Sequence, residues 1–130
     1  MQYTRKVIEH FQKPHNLGQM KSADSVGEVG NPVCGDLMKI YLKVAKNKKG
    51  QEIIKDITFE TLGCVAAIAT SSMVTEMAKG KTLAEAEKIK FSEVENSLGS
   101  LPPIKKHCAD LAVRALQAAI ENYRGGLNKK

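Results

Sequence analysis

The chain has 130 residues, with 20 Lys and Arg against 14 Asp and Glu for a formal charge of +6, and it contains three Cys and no Trp. This length suits a single domain, expected over residues 1–130 with a short disordered tail from about 125, and buries enough surface to need no disulfide or metal for its stability. Three cysteines are too few for a disulfide framework, the charged opening "MQYTRKVIEHFQKPHN" is no signal peptide, and the longest apolar run, "VAAIA", is about a quarter of a membrane span, so the expected setting is cytoplasmic, reducing and without a membrane partner.

In chain order, "TRKVIEHF" predicts an N-terminal helix with Val7, Ile8 and Phe11 on one face, ended by the Pro14 to Gly18 stretch. A weak strand signal follows in "SVGEVG". The stretch "LMKIYLKVA" alternates with a period of two, Met38, Ile40, Leu42 and Val44 on one side and Leu37, Lys39, Tyr41, Lys43 and Ala45 on the other, as a half-buried strand does. After the turn signal "KNKKGQ", the β-branched "EIIKDITFETL" predicts a second strand, paired with the first as an antiparallel hairpin.

Helices follow. Val65, Ala69, Met73 and Met77 recur every four residues until Gly80. Thr82 with Glu85 and Ser92 with Glu95 have the spacing of capping boxes, and the last helix carries Ala112, Leu116, Ala119 and Tyr123 along one stripe before halting at Gly125 and Gly126. Strands followed by helices, without βαβ alternation, predict an α+β fold: a small three-stranded antiparallel sheet with helices packed mainly on one face.

The cysteines sit at boundaries between elements: Cys34 in "NPVCGD", Cys64 in "TLGCVAA" and Cys108 at the start of the last helix. A free Cys is ordinarily a small apolar filler, but hairpin pairing of Cys34 with Cys64 centres the turn on Lys49, so both thiols are expected at one end of the sheet. Gly35 and Gly63 permit close backbone approach, and Pro32 stiffens the first loop. Cys64 and Cys108 fall at helix starts, where free N–H groups stabilise the thiolate that binds metal and attacks sulfur. The same dipole disfavours an imidazolium at His107, keeping it able to ligate, whereas His10 and His15 read as surface residues. Asp36 is either a harder metal ligand or an ordinary turn Asp. Three Cys with one Asp or His make four ligands, enough for tetrahedral zinc or for a thiolate cage around an iron-sulfur cluster.

The basic charge invites nucleic acid, yet the lysines are scattered in pairs and no aromatic platforms interleave them, so no nucleic-acid partner is expected. In "LPPIKKHC", Pro102 and Pro103 predict a stiff, extended segment that stops the last helix from running backwards.

Taken together, "YTRKVIEHFQKPHNLG", "NPVCGD", "GCVAAIATSSMVTE" and "LPPIKKHC" cover nearly the whole chain in their resemblance to the IscU and NifU N-terminal type of iron-sulfur cluster assembly scaffold. The resemblance implies a SufE/NifU fold. It further implies a non-enzymatic scaffold to which a cysteine desulfurase of the IscS/NifS type delivers sulfur and an iron donor brings iron. A transient [2Fe-2S] cluster, convertible to [4Fe-4S], is then built and handed to apo iron-sulfur proteins, with a ferredoxin among the partners. By this resemblance Cys34, Cys64 and Cys108 are thiolate ligands, Cys108 the sulfur acceptor, Asp36 the labile fourth ligand and His107 an alternative one. Zinc is a further occupant of the isolated protein, which is expected as a monomer or a cluster-dependent dimer. Leu101, Pro102, Pro103, Ile104 and Lys105 resemble the peptide gripped by an Hsp70-type chaperone working with a J-type co-chaperone. Val65 and Lys106 depart from the residues usual in bacterial members, Gly and Leu. The competing reading is a zinc-binding sulfurtransferase of the SUF type accepting persulfide, a class that typically carries an insertion between its second and third Cys and lacks the His and LPP motif.

Overall fold

The alternation in "LMKIYLKVA" forms the middle strand of a three-stranded antiparallel sheet. In the computed structural model, which describes residues 3–31 and 36–126 apart from the side chains of 31, 36, 104 and 126, the strands β1 (Ser25–Asn31), β2 (Asp36–Lys46) and β3 (Glu52–Leu62) lie in that order. Met38, Ile40 and Leu42 are buried on the helix-covered face, while Lys39 and Lys43 lie on the other face. The α+β architecture is the one expected, and its helices are α1 (Arg5–Gln12), α2 (Val65–Ala78), α3 (Leu83–Ala86), α4 (Phe91–Ser97) and α5 (Lys106–Gly126). Among the described residues no helix is long and apolar enough to cross a membrane.

The hairpin turn is centred on Lys49, as Lys46 pairs with Glu52 across it. Asn47 Oδ1 accepts the N–H groups of Lys49 and Gln51 at 2.9 and 3.0 Å and so closes the turn. Farther from the turn Lys43 pairs with Asp56 and Val44 with Ile54, leaving Lys55 as a bulge. An extra residue reverses which side chains face inward, which is why Ile54 and Ile57, three apart, are both fully buried. The bulge also shifts the register beyond it by one residue relative to the expected pairing, yet β2 still begins and β3 still ends at one end of the sheet.

What holds α5 to the sheet is the absence of a side chain at Gly27. A Cβ there would lie 2.3 Å from the Ala115 carbonyl oxygen and the Ala119 nitrogen, so the helix backbone rests directly on β1. The Ser25 hydroxyl donates to the Ala119 carbonyl at 2.5 Å, and the Asn122 amide donates to the Val26 carbonyl at 2.8 Å. Ala112, Leu116 and Ala119 are fully buried along the expected stripe, with Tyr123 half-buried at its end.

Three local expectations change. The inward face of α1 is Val7 with His10; Ile8 and Phe11 are exposed, because α1 packs on α2 through Val7 and through the His10 contact with Ser72. His10 is therefore buried rather than a surface residue, with Nδ1 2.8 Å from Ser72 Oγ, whereas His15 is exposed as expected. Ser92 is not a cap: α4 starts after Lys90, whose N–H is accepted by Glu93 at 3.0 Å, while the Thr82–Glu85 box forms as expected. In α2 burial reaches well beyond the predicted stripe, taking in Thr70, Ser71, Ser72 and Thr75. Their hydroxyls find partners inside the fold, Thr70 donating to the Ala66 carbonyl at 2.8 Å and Thr75 to that of Ser72 at 2.8 Å.

Gly27→Ala is expected to cost roughly 2–4 kcal/mol in a urea melt, because backbone on both sides leaves no flexible side chain to give way. At alkaline pH, Tyr123, donating to Glu52 at 2.8 Å, and Tyr41, donating to Glu60, are both pushed up to about 12, first by these hydrogen bonds to carboxylates and then by burial. The folded state favours each neutral phenol, so this stabilisation is complete below the ordinary value of 10.0 and is lost as pH rises through about 12. Tyrosinate absorbance should report two late-ionising phenols, and Tyr123→Phe should remove one of them and flatten the alkaline loss of stability.

Candidate metal and sulfur centre

The N-terminal ends of α2 and α5 meet beside the end of the sheet where β2 begins and β3 ends. Cys64 is the N-cap of α2 with extended backbone (φ −91°, ψ −175°), which aims the chain from β3 into the helix. Gly63 makes this entry feasible, since a Cβ there would lie 2.7 Å from the Ala67 Cβ. Cys108 lies in the first turn of α5 and is 1% exposed. The Thr70 hydroxyl of α2 reaches the Cys108 carbonyl at 3.3 Å and ties the two helices at this level. His107 is exposed, with Nε2 3.7 Å from Cys108 Sγ.

The electrostatics favour a thiolate at Cys64. Burial pushes this half-buried thiol up, but the backbone N–H groups of Ala67 and Ala66, the Lys105 ammonium and the Cys108 thiol together bring it below the ordinary thiol range. Lys105 responds in kind: its ammonium is held above the ordinary lysine range, first by the Cys64 charge and then by its hydrogen bond to that sulfur. Sequence reasoning had placed Lys105 only in the proline-led segment. The signal available was its spacing, three residues before Cys108 and immediately before the helix.

That segment is not extended as expected. Pro102 is extended (φ −54°, ψ 143°), but Pro103–Lys105 forms a 3₁₀ turn in which the Lys105 N–H bonds to the Pro102 carbonyl at 2.8 Å. The ring of Pro103 fixes φ near the helical value, and its missing N–H is no loss at the first position of a turn. Leu101 is 4% exposed and belongs to the core.

Of the residues singled out from the sequence, Cys64 lies beside Cys108 and His107 beside Cys108, while Lys105 joins Cys64; among the described residues these donors do not close into a set of three within 4.8 Å of one another. Asp36 begins β2, one step along the ladder from the Leu37 and Leu62 pair and so at the same end of the sheet as Gly63 and Cys64; its side chain lies outside what is described. Cys34, Gly35 and Pro32 lie outside the described residues. Two sulfur donors and an imidazole suit a borderline or soft metal such as iron or zinc.

Comparison with known proteins gives a consistent pattern. Residues 2–130 match the family model described as the NifU-like N terminal domain. The chain is 58% identical over 121 residues to the iron-sulfur cluster assembly scaffold protein IscU 1 of Archaeoglobus fulgidus, covering 93% of this chain and 76% of that one. It is 46% identical over 127 residues to the IscU scaffold protein of Azotobacter vinelandii, covering 95% of each. Among solved structures, a putative SUF-system scaffold protein from Fervidobacterium islandicum superposes with a TM-score of 0.64 at 23% identity, over 91% of this chain and 96% of that one. The N-terminal part of a NifU-like protein from Brucella abortus gives 0.60 at 20% identity, over 98% and 95%. These structural likenesses establish the fold alone.

The difference between the two thiols is measurable. Alkylation with iodoacetamide near neutral pH, followed by peptide mass spectrometry, is expected to label Cys64 at least about threefold faster than Cys108. Lys105→Gln should slow Cys64 by a similar factor while leaving Cys108 little changed; an unaltered Cys64 rate would remove Lys105 from the account.

Proposed function

The chain belongs to the NifU-like N-terminal domain family, and on that premise we propose that it is a scaffold for iron-sulfur cluster assembly, working as one domain over residues 1–130. The observation that carries this reading is the meeting of Cys64 and Cys108 at two helix N-termini, with His107 against Cys108 and the Lys105 ammonium on Cys64. A builder that must also release its cargo is served by a few soft donors joined by harder, exchangeable ones, because four thiolates hold too firmly. In this reading Cys34, Cys64 and Cys108 hold the cluster as thiolates, with Asp36 or His107 as the fourth, labile ligand.

Sulfur arrives as the outer atom of a persulfide on a cysteine desulfurase. A thiolate of the scaffold attacks that outer sulfur, a new S–S bond forms, the donor's S–S bond breaks, and the desulfurase leaves as a thiolate. Cys108 is the proposed acceptor. Since it is 1% exposed, the transfer requires a local opening around it. Iron from a donor and electrons from a ferredoxin complete a [2Fe-2S] cluster, convertible to [4Fe-4S], for delivery to apo-proteins.

Leu101–Lys105 is the proposed handle for an Hsp70-type chaperone and its J-type co-chaperone. Such a chaperone takes an extended peptide, so gripping this one would undo the 3₁₀ turn, draw Leu101 from the core and pull Lys105 away from Cys64. The grip and the cargo would then be mechanically linked.

Anaerobic incubation with ferrous iron, a desulfurase and cysteine should give a sulfur-to-iron charge-transfer band with stoichiometric iron and sulfide. Tightly held zinc and no band would instead favour the sulfurtransferase reading. Asp36→Ala is expected to lengthen the life of the cluster and slow its transfer to an apo-ferredoxin, and equal lifetimes would count against a labile carboxylate. The doubly substituted Pro102→Ala, Pro103→Ala protein should keep assembly while losing chaperone stimulation; loss of both would refute the separate handle.

A further inference from the structure

Far from the cysteines, α1, the loop after it and α2 bring two histidines and a glutamate together. His15 Nδ1 lies 2.9 Å and His10 Nε2 3.7 Å from the same oxygen, Oε2 of Glu76, and one ligand atom from each of the three residues lies within 4.8 Å of the others. The rings stand 4.8 Å apart, tilted by 46°, and face an open cavity of about 600 Å³ that Lys6, Glu9 and Lys13 also line. We propose that His10, His15 and Glu76 form a second binding site, for a divalent first-row transition cation such as Zn²⁺ or Fe²⁺, independent of the cysteine centre.

The donor set selects the class of ion. Two imidazoles and one carboxylate, with open positions left to water, are the ligands that zinc and ferrous iron take, whereas Mg²⁺ and Ca²⁺ require oxygen donors throughout. The site is also built in advance. Ser72, one turn before Glu76 on α2, has its Oγ 2.8 Å from His10 Nδ1 and accepts the His15 backbone N–H at 2.8 Å. When His10 donates Nδ1–H to that hydroxyl, the lone pair of Nε2 faces Glu76, the orientation a metal-bound histidine needs. Asn16, in the left-handed conformation at φ 63°, bonds through its amide to Thr75 Oγ1 at 3.1 Å, and its carbonyl accepts the Phe59 N–H at 2.9 Å. The loop that carries His15 is thus pinned to both α2 and β3.

Independence follows from position. Glu76 is twelve residues beyond Cys64 on the same helix, about 18 Å along its axis. A ligand atom cannot serve both centres.

The test is a Zn²⁺ titration of the whole chain, followed by the imidazole ¹H–¹⁵N resonances of all three histidines, in the wild type and in a Cys34→Ala, Cys64→Ala, Cys108→Ala variant. His10 and His15 are expected to shift together with the first equivalent of Zn²⁺ in the cysteine-free variant and with the second, once the cysteine centre has filled, in the wild type, to broaden with anaerobic Fe²⁺, and to stay unmoved in Mg²⁺. His15→Ala, at an exposed position where folding is not at risk, should weaken this binding by at least about tenfold, and Ser72→Ala by about ten- to a hundredfold, through loss of orientation. Unmoved His10 and His15 resonances at millimolar Zn²⁺, an equal response to Mg²⁺, or undiminished affinity in His15→Ala would each overturn the proposal. Because the readout persists without cysteines, its failure is separate from any failure of cluster assembly.

Discussion

The contact of the α5 backbone with β1 at Gly27 fixes the rest of the molecule. A helix resting directly on an edge strand has little freedom to slide or rotate, and the bonds from Ser25 and Asn122 hold the same few residues in register. With the far half of α5 fixed, its first turn can arrive in only one place. Thr70 meets it there, and the Cys108 carbonyl is tied to the helix that Cys64 caps. A site made from residues on two helices thus owes its geometry to a glycine on a strand that touches neither sulfur.

α2 is the common frame. Its flanks are occupied by the sheet, α1 and α5, and it accommodates so many hydroxyls because each finds a partner within the fold. One end gathers sulfur; toward the other, imidazole and carboxylate face an open cavity. The two chemistries share a rigid element yet are too far apart to compete for one ion.

Much of this was legible in the residues. The alternation over 37–45 and the turn at Lys49 dictated the hairpin; the boundary position of Cys64 followed from where apolar periodicity changed from two to nearly four, and that of Cys108 from the two prolines that stop the last helix. The bulge at Lys55 was not legible, because Ile53, Ile54 and Ile57 read equally well in either phase until packing selects one. His10 was misplaced for a related reason. A histidine flanked by Glu and Phe on a short helix looks solvated, and only the distant Ser72 hydroxyl makes its burial affordable. The 3₁₀ turn at Pro103 and the reach of Lys105 to Cys64 depend on how the segment docks, and two successive prolines permit both extended and helical entry.

The short segment from Leu101 to Lys105 is at once a piece of the core, a turn of helix and the source of a counter-charge for Cys64. Any partner that prefers it unfolded and any cargo that prefers it folded are therefore ligands of one equilibrium. Thermodynamic linkage then requires that the factor by which cargo weakens the partner's hold equals the factor by which the partner weakens the cargo's. With a load on the sulfurs and a reader of this segment, such a chain would report its own load, since the residue that offers the counter-charge to Cys64 belongs to the segment that the reader would unfold.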